Sequence, residues 1–322
     1  MLSLRPTSAD LAEVAKNELS EDPRQLESHL GVIRNWLKER NNLHGLLGDQ
    51  ILLSFLRGCK FSLEKVKEKL TLFYWIRTML PEVIQNRDPC DKHVLEVIRL
   101  GVGIPLPKTV KPTDPKIFVI RVAQFDLSKI IFADVIKVGT LINDVLMRDD
   151  DQMVICGMAL IIDLVGVTAS HLFQFNFQFL KQVAILYQDA SPLRMQGIHT
   201  LNPPPGMQSV LNMFNNLLSS KNKDKRIYAH GSSLESLHEH FPKSILPEEY
   251  GGTLGPIQNI MDQWETKLKE NRGYLLEMAD LCDNQAKQGS MSSAPQSPTV
   301  LSPTSKQAFF GLDGSFRRLE LD

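Results

Sequence analysis

The chain has 322 residues, 43% of them hydrophobic and 23% charged, with a formal net charge of -1. That length allows two domains, or one with extensions, and the composition is that of an ordinary globular protein with a real core. The near balance of charge excludes bulk attraction to nucleic acid or membrane, so an electrostatic partner has to be read by a local patch. The 4 cysteines are scattered without a CxxC pair, which suits reduced thiols in a cytosolic protein. The N-terminal stretch MLSLRPTSADLAEVAKNE lacks the apolar core of a signal peptide, and no run is long enough to span a bilayer. Membrane contact is therefore expected to be peripheral.

Residues 8–80 read as a helical bundle. Leu11, Val14 and Ala15 mark a first helix. Pro23 can open a second, with Leu26, Leu30, Ile33 and Leu37 on one face. Ile51, Leu52, Phe55 and Leu56 follow as a third. Ser62 is placed to cap a fourth, in which Val66, Leu70, Phe73 and Arg77 align before Pro81. Arg57, Lys60 and Lys65 read either as a patch for an anionic head group or as a solvated helix surface. Residues 86–92, NRDPCDKH onward, read as a polar linker, followed by a short helix over 93–100 and a Gly/Pro-rich loop.

Strands begin at Ile117–Val122, a run of β-branched and aromatic residues. Residues 128–147 read as a helix, and Asp149–Asp151 as an acidic, solvated turn. The apolar run Met153–Leu164 predicts a strand buried on both faces, which favours a parallel sheet under helices. Phe177, Leu180, Ala184 and Tyr187 recur at helical spacing, with Asn176 as the expected cap. Met195–Leu201 predicts the next strand, so strand, helix and strand form one βαβ unit. Over 206–218, Met207, Val210, Leu211, Phe214, Leu217 and Leu218 share one helical face, opposite Gln208, Ser209, Asn212, Asn215 and Asn216. An uncharged polar face lets such a helix cover a cavity or enter a membrane interface. Lys221, Lys223, Lys225 and Arg226 follow at once and suit an anionic membrane surface, though a solvated loop is the alternative. A short strand over Ile227–His230, a helix over 233–240 and a helix over 256–288 complete the regular elements. Residues 289–306 are rich in Ser, Pro and Thr and are expected to be disordered.

Several motifs together resemble one family. Asp163-Leu-Val-Gly166 with Ser170-His171, Ser191-Pro192-Leu193-Arg194, Gly197-Ile198-His199 with Asn202, and Leu246-Pro-Glu-Glu-Tyr-Gly-Gly252 are similar to the CRAL-TRIO (Sec14-like) lipid-binding domain. Phe55-Leu56-Arg57 with Phe61 resembles its N-terminal helical domain. The branch resembled is that of α-tocopherol transfer protein and retinaldehyde-binding protein, including its insect members. The resemblance implies an α/β fold in which an N-terminal helical bundle precedes a mostly parallel sheet whose flanking helices enclose a lipid cavity. It implies a helical domain over 1–85, a lipid-binding domain over 90–254, a C-terminal helix over 255–288 and a Ser/Pro-rich tail over 289–322. Cavity walls are expected from Met158, Ile162, Phe175, Val183, Leu186, Tyr187 and Ile198, with Val210, Phe214 and Leu217 from the lid. Phosphoinositide contacts are expected from Arg57, Lys60, Arg194, Lys221, Lys223, Lys225 and Arg226.

An enzyme is not expected. The chain has no Gly-x-Ser-x-Gly elbow, P-loop, HExxH or complete GxGxxG. His238 and His240 stand two apart, which a helix directs to different sides. His171 and His199 read as internal hydrogen-bonding groups, and Asp163 as a turn or cap acceptor. The expected activity is that of a cytoplasmic, monomeric carrier that holds a tocopherol-, retinoid- or similar lipid in an enclosed cavity of several hundred Å³. It would exchange that lipid at phosphoinositide-containing membranes. No cofactor beyond the bound lipid and no nucleic-acid partner are expected. The other reading is an interaction scaffold whose lipid domain serves only as a membrane-targeting module and whose tail recruits a partner.

Overall fold

Helices lead the chain in the computed structural model, which describes residues 4–40, 47–168, 170–171, 177–205 and 227–287. They are α1 (Ala9–Leu19), α2 (Leu26–Lys38), α3 (Asp49–Gly58), α4 (Leu63–Thr78) and the short α5 (Pro81–Ile84). The apolar positions at three- and four-residue spacing turn inward as expected: Leu30 and Ile33 of α2, Phe55 and Leu56 of α3 and Leu70 of α4 are fully buried. Ser62 holds the N-cap position of α4 without a side-chain capping bond, and Pro81 opens α5 where a missing N–H costs nothing. Asn176, the cap expected for the later helix, lies outside the described residues.

The sheet follows, with α6 (Lys92–Ile98) leading into β1 (Gly103–Pro105) and β2 (Lys116–Arg121). Then come α7 (Phe132–Asp149), α8 (Asp151–Cys156), β3 (Met158–Asp163), α9 (Phe177–Ala184), a π-helical turn (Ile185–Asp189) and β4 (Met195–Leu201). The chain closes with β5 (Ile227–Ala229), α10 (Leu234–His238), α11 (Ile257–Glu270) and α12 (Arg272–Lys287). The strands lie in chain order β1-β2-β3-β4-β5; β1 is antiparallel to β2 and the remaining pairs are parallel. Parallel neighbours need crossover connections, and the described ones, through α7 and α8 and through α9 and the π-turn, bring α7 and the π-turn over one face of the sheet. On that face Phe118 and Leu160 pack into a large cluster with residues of α7 and the π-turn, together with α3 and α4. On the other face Ile117, Val119, Ala159 and Ile161 pack with Leu237, Phe241, Ile257 and Met261.

Two expectations are corrected here. Met153–Cys156, read as the first half of a strand, is the end of helix α8, and the strand begins at Met158. An apolar run alone does not distinguish a buried strand from a buried helix. The boundary is Gly157 at φ +82, where an added Cβ would come within 2.5 Å of the Arg194 carbonyl oxygen. The single C-terminal helix expected over 256–288 is two, α11 and α12, separated at Asn271.

Charges tie the layers together. Asp144 of α7 is fully buried and accepts from Arg77 Nη2 at 2.5 Å and from Arg87 Nη2 at 2.7 Å; Arg87 also donates to Thr140 Oγ1 at 3.3 Å. Arg87, assigned by its sequence to a polar linker, is thus among the most deeply buried side chains of the protein. The acidic turn is not merely solvated either. Asp149 pairs with Arg148, Asp150 caps α8 and pairs with Lys116, and Asp151 pairs with Arg5 and Arg57.

Candidate functional site

The site is built from one face of the sheet and the helices over it. In the parallel register, Phe118 pairs with Leu160 and Leu160 with Ile198, while Ile120 pairs with Ile162. Side chains alternate across a strand, so these five apolar residues share a face. All five are only half-buried, whereas Val119 and Ile161 on the opposite face are fully buried. Ile227, which pairs with Ile198, is exposed. This face therefore keeps apolar surface that the described elements do not fully cover.

A cavity of about 220 Å³ opens at its β2 side. Val97 and Ile98 of α6 and the Gly101–Ile104 turn form one wall, and Ile120, Val122 and Phe125 form the floor. Phe132, Val135, Ile136, Gly139 and Ile142 of α7 roof it, Met261, Trp264 and Leu268 of α11 close the end, and Tyr187 enters from the π-turn. No charged side chain is among the described residues that line it. Its volume is below the several hundred Å³ expected, and below the ~300–1,000 Å³ common for ligand sites. Part of the difference is the Tyr187 phenol itself, which lies so close to α7 that a Cβ at Gly139 would sit 2.6 Å from its oxygen. Burial pushes the Tyr187 phenol well above the usual tyrosine range, so it stays neutral.

Of the wall residues expected from sequence, Tyr187 lines this cavity. Met158 and Leu186 are packed into the core instead, where the strand start and the π-turn meet the helices. Val183 is half-buried against the same cluster, Ile162 packs with Leu164 and Val167, and Ile198 lies on the half-covered sheet face. Phe175, Val210, Phe214 and Leu217 lie outside the described residues. The walls from α6, α7 and α11 were missed because residues lining a cavity and residues packing a core are of the same apolar types.

The expected anionic-head-group residues divide in the same way. Arg57 is buried: it donates to Glu21 at 2.8 and 3.1 Å, to Asp151 at 3.0 Å and to Thr7 Oγ1 at 2.9 Å. A phosphate would have to displace two carboxylates, so Arg57 is a tie between α3, the end of α1 and α8, not an open patch. Arg194 is half-buried and donates to the Ile155 carbonyl, and burial pulls its guanidinium below the usual value. Lys60 is exposed at the end of α3. Lys221, Lys223, Lys225 and Arg226 lie outside the described residues.

The remaining motif residues hold the frame of the site. Asp163, at the end of β3, accepts from Val165 N at 3.0 Å, Asn202 Nδ2 at 2.9 Å and the Tyr250 hydroxyl at 3.0 Å. The local turn and two segments distant in sequence are thereby fixed to one strand end. Burial first, and Asp163 next, push the Tyr250 phenol up. His171 Nδ1 bonds Thr168, and His199 Nδ1 meets His230 Nε2 at 2.9 Å in a stack that includes Tyr228. Lys69 caps the π-turn, donating to the carbonyls of Gln188, Asp189 and Ser191 at 2.9, 2.9 and 2.8 Å. Cys59 and Cys156 are buried and Cys90 is exposed, and burial pushes the Cys156 thiol up to about 11. Among the described residues no helix is long and apolar enough to cross a membrane, and no cluster of His, Cys, Asp and Glu is built to hold a metal.

The family described as CRAL/TRIO domain matches residues 110–252, and that described as Pinta-like, UBA domain matches residues 22–94. An alpha-tocopherol transfer protein-like protein of Homo sapiens is 31% identical over 249 residues, covering 77% of this chain and 71% of its own. Clavesin-1 of Rattus norvegicus is 28% identical over 265 residues, covering 81% of this chain and 73% of its own. The crystal structure of Sfh5 superposes with a TM-score of 0.47 at 13% identity, covering 78% of this chain and 89% of that one.

Proposed function

Since this chain belongs to the CRAL/TRIO family, we propose that it is a lipid carrier, which takes one small hydrophobic molecule out of water and delivers it at a membrane. The observation that carries the reading is the cavity of about 220 Å³, apolar and without a charged group among its described lining residues. That lining, apolar but for the Tyr187 hydroxyl and the Trp264 indole, suits removal of a largely hydrocarbon molecule from water. Burial is worth roughly 0.8 kcal/mol per methylene, so ten methylenes bring about 8 kcal/mol before the losses of association. That is enough to retain an insoluble molecule. The half-buried face of Leu160, Ile162 and Ile198 adds apolar surface on the same side of the sheet. The name of the human relative favours a tocopherol-like ligand or a slim isoprenoid of similar character.

Delivery falls to the sequence between β4 and β5. The apolar face of Met207, Val210, Phe214 and Leu217 and the cations Lys221, Lys223, Lys225 and Arg226 suit an amphipathic lid beside an anionic, phosphoinositide-containing surface. A membrane opens such a lid only by binding the open state better than the closed one. The carrier then works in the cytoplasm with transient membrane contact. The test is the rate of lipid transfer between vesicles as acceptor charge is varied. Neutralising all four cations should slow transfer to phosphoinositide vesicles and flatten its salt dependence while leaving ligand affinity unchanged. Equal rates on anionic vesicles would remove the cations from the mechanism.

A further inference from the structure

We propose that Tyr187 reads the polar end of the bound lipid, and that the ligand selected is an uncharged lipid bearing one hydroxyl group. The proposal rests on the carrier reading above. Among the described lining residues Tyr187 carries the sole hydroxyl. It is presented by a π-helical turn, an arrangement frequent at functional sites. Its place on the cavity wall depends on Gly139, because any side chain at that position would meet the phenol oxygen at 2.6 Å. The phenol directs its proton to the Ile136 carbonyl oxygen at 3.4 Å, a long contact, and its lone pairs accept no bond from the described residues.

The other side-chain heteroatoms of the described lining are engaged. Trp264 Nε1 donates to the Pro105 carbonyl at 3.2 Å, and Met261 Sδ faces Arg121 Nη1 at 3.8 Å. The nearby charges Asp144, Arg77 and Arg87 are buried in one another and are absent from the lining. Arg121 stands behind Met261 and is likewise absent from the lining, so a carboxylate or phosphate end group would be desolvated here without a cation in the wall to meet it. A hydroxyl end group finds an acceptor in Tyr187, whereas a pure hydrocarbon leaves that acceptor unsatisfied.

The experiment compares farnesol with farnesyl methyl ether, which keeps the chain and lacks the donor. Both are titrated onto the full chain, onto Tyr187→Phe, onto Gly139→Ala and onto the double variant. Wild type is expected to favour the alcohol over the ether by about threefold to tenfold, the worth of one net hydrogen bond. In Tyr187→Phe the preference collapses toward one while ether binding holds. Gly139→Ala, by displacing the phenol, should lose the preference too, and adding it to Tyr187→Phe should change nothing further, because the two act through one contact. An alcohol-to-ether ratio unchanged by Tyr187→Phe would overturn the assignment and leave the carrier reading standing. Binding of neither probe to any of the folded proteins would overturn the carrier reading and the assignment with it.

Discussion

Replacing Asp144 should destabilise this protein far more than replacing either arginine that binds it. Asp144 is the one carboxylate between Arg77, at 2.5 Å, and Arg87, at 2.7 Å, and all three side chains are buried. Arg87→Met removes a cation and leaves the neutral Arg77–Asp144 pair, with a flexible apolar chain in the space. Losing a bond to a charged group there costs about 1.5–3 kcal/mol. Asp144→Ala leaves two guanidiniums buried without a counter-charge. Breaking a single buried pair from one side costs about 3–5 kcal/mol, so the loss should reach or pass the top of that range. Against a typical total of about 5–15 kcal/mol, the first variant folds and the second is marginal or unfolded. Urea unfolding followed by circular dichroism, with thermal melts of the same proteins, reads the order. A third variant, Asp144→Ala with Arg77→Met and Arg87→Met, should recover part of the loss because it leaves no bare charge. Equal losses for Arg87→Met and Asp144→Ala, or a triple variant worse than Asp144→Ala, would refute the reasoning.

Three further outcomes are expected. His199 is held down to about 3 from 6.5, first by burial and then by His230 and His240, so the unfolded chain takes up its proton first as pH falls. The associated stability is complete above about pH 6.5 and is lost progressively toward pH 3; His199→Gln should melt with a shallower dependence on pH across that window, and an equal slope would count against it. Tyr250→Phe removes the 3.0 Å bond to buried Asp163 and should lower stability by about 1.5–3 kcal/mol in equilibrium unfolding, where no change would show that the bond carries nothing. Val135→Trp, from α7 into the cavity, should abolish lipid uptake while changing stability by no more than about 3 kcal/mol; undiminished uptake would place the lipid elsewhere.

Much of the frame was legible in the sequence because it rests on local pattern. β2 is a run of β-branched and aromatic residues, β4 is stopped by Asn202 and three prolines, and α2, α3, α4 and α7 each carry an apolar stripe at helical spacing. What escaped rests on partners far along the chain. Nothing near Arg87 says that its side chain reaches Asp144, and nothing near Arg57 says that Glu21 and Asp151 claim it. A buried arginine and an exposed one look alike until the partner is placed. Met153–Cys156 escaped for a different reason: α8 and β3 share one unbroken apolar run, and Gly157 alone marks the change. At the site, Tyr187 was reached through family resemblance, and the Asp163 cap through its turn position. The α6 and α11 walls could not be told from core because a residue beside an empty volume and a residue beside another side chain obey the same hydrophobic pattern.

The central claim is that this chain holds one lipid in its interior, and native mass spectrometry of protein purified from the cells that make it tests that claim most directly. Wild type should fly with a single apolar, uncharged adduct of constant mass that organic extraction recovers at one per chain, and Val135→Trp should fly without it. Wild-type protein that carries no lipid as purified, and takes none up from vesicles, would contradict the claim.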